Sequence, residues 1–83
     1  MKLTIEMGDP VGTLLEEIRY PGITQDSVAI TYAFIIAQKG DDAPWPEINA
    51  AIRDKWKSKT ALRRVKEAAW KIVEEWRAKQ VPA

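Results

Sequence analysis

The chain has 83 residues, 46% hydrophobic and 30% charged, with a formal net charge of +1. That composition suits one small folded domain, residues 1–83, rather than a disordered chain. It contains neither cysteine nor histidine, which excludes disulfides, thiolate chemistry, Cys/His zinc sites and histidine-based triads.

Residues 2–7 alternate, with Leu3, Ile5 and Met7 apolar and Lys2, Thr4 and Glu6 polar. This period of two predicts a short N-terminal β-strand with one buried face. A lone strand needs a partner, either on its own chain or on a second copy pairing antiparallel as a homodimer. Strand, short helix and longer helix also follow the order of a ribbon-helix-helix DNA-binding dimer, although Glu6 and the acidic first half oppose DNA at that end.

Asp9-Pro10 reads as a helix start, with Asp9 as N-cap and Pro10 in the first turn. Val11, Leu14, Leu15 and Ile18 then form one apolar face, and Tyr20-Pro21-Gly22 stops the helix in a type II turn. Thr24 or Asp26 caps the next helix, which runs to Lys39 and closes at Gly40. Residues 28–37 are apolar almost all round, which predicts the central buried helix. A strand is the competing reading, because Val28, Ile30, Tyr32, Phe34 and Ile36 also alternate with smaller residues. The helix is preferred for its length, its alanines and its caps.

Residues 41–46 read as a loop stiffened by Pro44 and Pro46. A third helix follows, with Ile48, Ala51, Ile52 and Trp56 on its inner face, and ends near Trp56. After a short turn, Ser58 or Thr60 caps a last helix over residues 59–79, whose core stripe is Leu62, Val65, Ala69, Ile72, Val73 and Trp76. Glu67, Lys71, Glu75 and Lys79 are spaced for an i,i+4 ladder of ion pairs. The expected fold is mainly α: a small orthogonal bundle of about four helices with the N-terminal strand. Its C-terminal hairpin resembles a helix-turn-helix in outline, although the turn lacks a glycine.

The near-zero net charge hides a division. Residues 1–50 carry three basic side chains against eight acidic, a net of −5, and residues 51–83 carry ten against four, a net of +6. An anionic partner for the basic half, or attraction between the two halves, would each account for it. At 100° per residue, Lys59, Arg63, Lys66, Trp70 and Arg77 gather on one side of the last helix, beside its core stripe. Lys57 in the turn and Arg53 and Lys55 on the preceding helix add to this basic strip. Cations suit phosphates, and an indole suits stacking or an apolar anchor. The plainer alternative has Trp70 at the core edge with lysine stems lying over it.

The acid pairs Glu16/Glu17 and Glu74/Glu75 point about 100° apart on their helices, and Asp41/Asp42 suits a turn. No catalytic, cofactor-binding or metal-binding residue is therefore assigned, and no enzyme is expected. Trp45 and Trp56 are expected to close the core, and Tyr32 to hydrogen-bond a loop carbonyl. The start of the chain lacks the apolar run of an export signal, and the apolar stretch 28–37 is about half a membrane span. A cytoplasmic location, away from membranes, is the expectation.

Residues 28–71 resemble a group of small, uncharacterised bacterial and prophage-type helical proteins. The resemblance rests on Val28-Ala29-x-Thr31-Tyr32-Ala33, on Trp45, Ile48, Asn49, Ala51, Ile52 and Trp56, and on Ala61-Leu62, Val65-Lys66 and Ala69-Trp70-Lys71. It implies a helical fold and carries over no activity. It draws notice to Asn49 and Trp70, which a simple bundle does not need. Two functions are thus expected as alternatives. One is a small non-enzymatic module binding DNA or another polyanion through Arg53, Lys55, Lys57, Lys59, Arg63, Lys66 and Trp70. The other is a protein–protein adaptor or assembly subunit forming a homo-oligomer.

Overall fold

The computed structural model describes residues 9–80. Asp9 is extended, and its carboxylate accepts the Val11 N–H at 3.1 Å, opening helix α1 (Pro10–Glu17). Pro10, Val11, Leu14 and Ile18 are buried. Gly22 follows at φ +87°, and the Ile23 N–H donates to the Tyr20 carbonyl at 3.3 Å, as a type II turn requires.

Thr24 caps α2 (Gln25–Lys39) by accepting the Ser27 N–H at 3.1 Å, and Gly40 closes it at φ +55°. The segment that also read as a strand is helical. Val28, Ala29, Thr31, Tyr32, Ala33, Ile35 and Ile36 are buried, whereas Ile30 points outward. α2 is the central element, packing most extensively on the last helix and next on α1. The Thr31 hydroxyl donates to the Glu17 carboxylate at 2.7 Å, so this buried hydroxyl is satisfied by tying α1 to α2.

A 3₁₀ turn, Gly40–Asp42, leads to α3 (Trp45–Trp56), which starts one residue before Pro46. Its buried residues are Ile48 and Ile52. It ends at Lys57, held in the left-handed region at φ 52°. Ser58 then accepts the Thr60 and Ala61 N–H groups at 3.1 and 3.3 Å and caps α4 (Lys59–Gln80), an unbroken 22-residue helix. Ala61, Val65, Ala69 and Val73 form its buried stripe, with Leu62, Ile72 and Trp76 half-buried beside it. Phe34 on α2 and Trp76 on α4 pack with ring centroids 5.0 Å apart.

The left-handed Lys57 sets up a stability prediction. A side chain there costs about 1 kcal/mol relative to glycine. Its ion pair with Asp54, at 3.4 Å, is solvated at both ends and contributes little. Lys57→Gly is expected to stabilise the chain by about 0.5–1 kcal/mol, read as a higher urea midpoint, whereas Lys57→Ala should give no such gain.

One expectation is corrected. The strand over residues 2–7, and the dimer pairing built on it, lie outside the described residues. Within those residues the regular structure is four α-helices and one 3₁₀ turn, with no strand. Over the described residues, the mixed helix-plus-strand description therefore gives way to an all-α bundle. The physical reason is that an isolated strand requires a sheet edge, and among the described residues there is none to join. Also among the described residues, no helix is long and apolar enough to cross a membrane.

Candidate docking face on α4

α4 is positioned by its buried stripe, so the opposite quadrants of the helix face outward. On one of these a shallow open groove of about 660 Å³ runs along Lys59, Leu62, Arg63, Lys66 and Trp70. All but Leu62 are exposed, and Trp70 keeps 43% of its surface accessible. Trp70 therefore does not sit sealed in the core. The Arg77 guanidinium lies 5.8 Å from the Trp70 ring centroid, a cation–π arrangement that occupies one face of the indole.

The groove also contains Glu67, Lys71 and Glu74, which do not belong to the strip read from the sequence. The same 100° count places all three within about a quarter-turn of Trp70, so the signal was present. Charge on this face is thus mixed, with the cations in excess. The i,i+4 ladder of Glu67, Lys71, Glu75 and Lys79 forms no ion pair. Among the described residues the one ion pair within 4.0 Å is Lys57–Asp54. These side chains are solvated, and fixing long rotamers offsets the small Coulomb gain.

Three members of the basic strip lie elsewhere. Lys55 turns toward α1 and donates to the Tyr20 carbonyl at 3.2 Å, beside a hollow lined by Leu15, Ile18 and Ala51. Lys57 is engaged with Asp54. Arg53 is exposed on α3 and does not line the groove. The structure brings Lys59, Arg63, Lys66 and Trp70 onto one groove, and Arg77, grouped with them by helical angle, lies over the Trp70 ring.

No family model, curated protein or solved structure matches this chain. The geometry therefore stands by itself.

Beside the groove, α2 and α3 supply an aromatic pair. The Tyr32 and Trp45 ring centroids are 4.8 Å apart. The Trp45 indole N–H donates to the Gly40 carbonyl at 2.7 Å. Tyr32 does not use a loop carbonyl, as the sequence suggested. Its hydroxyl donates to Asn49 Oδ1 at 2.8 Å, which accounts for the asparagine on α3. Spacing alone could not show this pairing, because the two residues lie on different helices.

Burial pushes the Tyr32 phenol up from 10.0 to about 12. The folded chain therefore holds that proton at pH values where the unfolded chain releases it. Stability from this source is complete below pH 10 and is lost as pH rises from 10 toward 12, by on the order of 2–3 kcal/mol. Tyr32→Phe should lower stability at pH 8 by about 1 kcal/mol, through the missing hydrogen bond, but should lack this alkaline loss. Urea midpoints from pH 8 to 11.5 read both effects, and parallel profiles for the two proteins would refute the assignment.

Proposed function

We propose that this chain is a non-enzymatic binding module that docks a polyanionic partner, a nucleic acid, on the α4 face. The observation carrying the reading is that Lys59, Arg63 and Lys66 share one face of a rigid helix with an exposed Trp70, with no carboxylate paired to them among the described residues. Cations in excess on a face and engaged in no ion pair are free to replace the condensed counterions of a phosphate backbone. The helix holds them in fixed register, and the indole offers an uncharged surface between them. The face thus offers cationic charge and an aromatic stacking surface on one element.

Lys59, Arg63, Lys66 and Arg77 are the phosphate partners this reading assigns. Four such interactions predict that log affinity falls against log salt with a slope of about −2.8 for a single strand and about −3.6 for a duplex. Titration of a labelled oligonucleotide between 50 and 200 mM salt measures it. A flat response, or no binding at 50 mM, overturns the reading.

A second reading rests on Glu67 and Glu74 in the same groove and on the acidic first half of the chain. A mixed-charge face with an exposed indole also suits a protein partner or a second copy of this chain. Light scattering separates the two. If Arg63→Glu/Lys66→Glu changes the oligomeric state while oligonucleotides fail to bind, the adaptor reading holds.

A further inference from the structure

Next to the groove, and sharing Lys66 and Trp70 with it, lies a second concavity of about 260 Å³ between α2, α3 and α4. It is lined by Tyr32, Ile36, Trp45 and Trp70 together with the polar Asn49, Lys66 and Asp41. The volume falls just below the ~300–1,000 Å³ of sites that take drug-sized ligands, so the space suits a single planar ring system. Three of the lining side chains are aromatic. Tyr32 and Trp45 are locked, the first by Asn49 and the second by Gly40, so these rings need no reordering to receive a ligand.

The polar complement is specific. The Trp45 N–H is already used, and the Tyr32 hydroxyl proton is given to Asn49 Oδ1. What remains among the lining groups is the Asn49 side-chain NH₂ as donor, the Tyr32 oxygen as acceptor, the Asp41 carboxylate and the Lys66 ammonium. A ring edge carrying both donors and acceptors matches this set, and a phosphate attached to the ring would meet Lys66, which faces both concavities. A purely apolar ring would leave these polar groups unused.

We infer that the pocket between Tyr32, Trp45 and Trp70 receives one unstacked nucleobase, which makes the α4 face a site for single-stranded rather than duplex nucleic acid. This rests on the reading of α4 as a phosphate-binding face and adds to it what is read besides charge. A base paired inside a duplex cannot enter a pocket of this size, whereas a single strand presents each base freely.

The test compares three probes of equal length by fluorescence anisotropy at 50 mM salt: a thymidine strand, the same sugar–phosphate strand without bases, and a duplex. The thymidine strand should bind at least ten-fold more tightly than the other two and should quench tryptophan emission. Trp70→Leu, at an exposed position that the fold does not need, should weaken the thymidine strand by about 5- to 100-fold and leave the abasic strand nearly unchanged. Asn49→Asp keeps an acceptor for the Tyr32 hydroxyl and removes the donor, and it should weaken the thymidine strand more than the abasic one. Circular dichroism checks that both variants stay folded. Equal affinity for all three probes overturns the base pocket and leaves the phosphate face standing. Absence of binding by every probe overturns both. Binding of N-acetyltryptophanamide in the pocket, with no preference for the strand with bases, also overturns the inference and assigns the pocket to an aromatic side chain of a protein partner.

Discussion

Replacing Ile35 with alanine is expected to remove about 2–5 kcal/mol of stability, the cost of deleting a fully enclosed aliphatic side chain and leaving a cavity. Ile35 is 0% exposed and lies in the middle of α2, the helix that packs most extensively in the bundle. A domain of this size has roughly 4–12 kcal/mol in total, so the variant should be partly unfolded at 37 °C. The internal control is Ile30→Ala. Ile30 is the same residue type on the same helix, but 48% exposed, and its removal should cost under about 0.5 kcal/mol. Urea midpoints for the pair read the difference directly. Similar losses at both positions would mean that α2 does not turn Ile30 outward.

The double reversal Arg63→Glu/Lys66→Glu carries the second large effect. It replaces two cations beside Trp70 with two anions on a face that already holds Glu67 and Glu74. Oligonucleotide affinity at 50 mM salt should fall by at least about 100-fold, and the salt slope should shrink by about 2, one for each phosphate left without its cation. Thermal stability should stay within a few degrees, because neither side chain is buried or ion-paired. Reversing Lys55 and Lys57 instead should change affinity little, since Lys55 faces α1 and Lys57 is engaged by Asp54. Equal losses from both pairs would show that charge in bulk, and not the α4 face, governs binding.

The paired isoleucines also show how far the residues themselves disclose the fold. A strand over 28–36 would put Ile30 on the same side as Tyr32 and Ile36. The helix separates them, burying Tyr32 and Ile36 while exposing Ile30. Alternating size is ambiguous in a segment that is apolar on nearly every side, and the caps at Thr24 and Gly40 decide the matter. Elsewhere the local signals suffice: Asp9, Thr24 and Ser58 each cap a helix through a side-chain oxygen, and Gly22 makes its turn. The N-terminal alternation is a weaker guide, because period two in six residues says nothing about whether a pairing edge exists.

For the site, helical angle alone groups Lys59, Arg63, Lys66, Trp70 and Arg77, because all five belong to one rigid element. It does not reach Arg53, Lys55 and Lys57, which lie off this face, since the direction of α3 relative to α4 depends on the turn at Lys57 and on packing across the bundle. The Tyr32–Trp45–Asn49 cluster is illegible for the same reason: its members come from two helices, and only their tertiary crossing joins them.

Scaffold and surface are built from separate residues of α4. Ala61, Val65, Ala69 and Val73 hold the helix to the bundle, while Lys59, Arg63, Lys66 and Trp70 face away from it. Substitutions along the outer row can therefore accumulate without disturbing the inner one. The same 22-residue rod could be re-addressed to a different target by changing four outward side chains, with the folding of the chain left as it was.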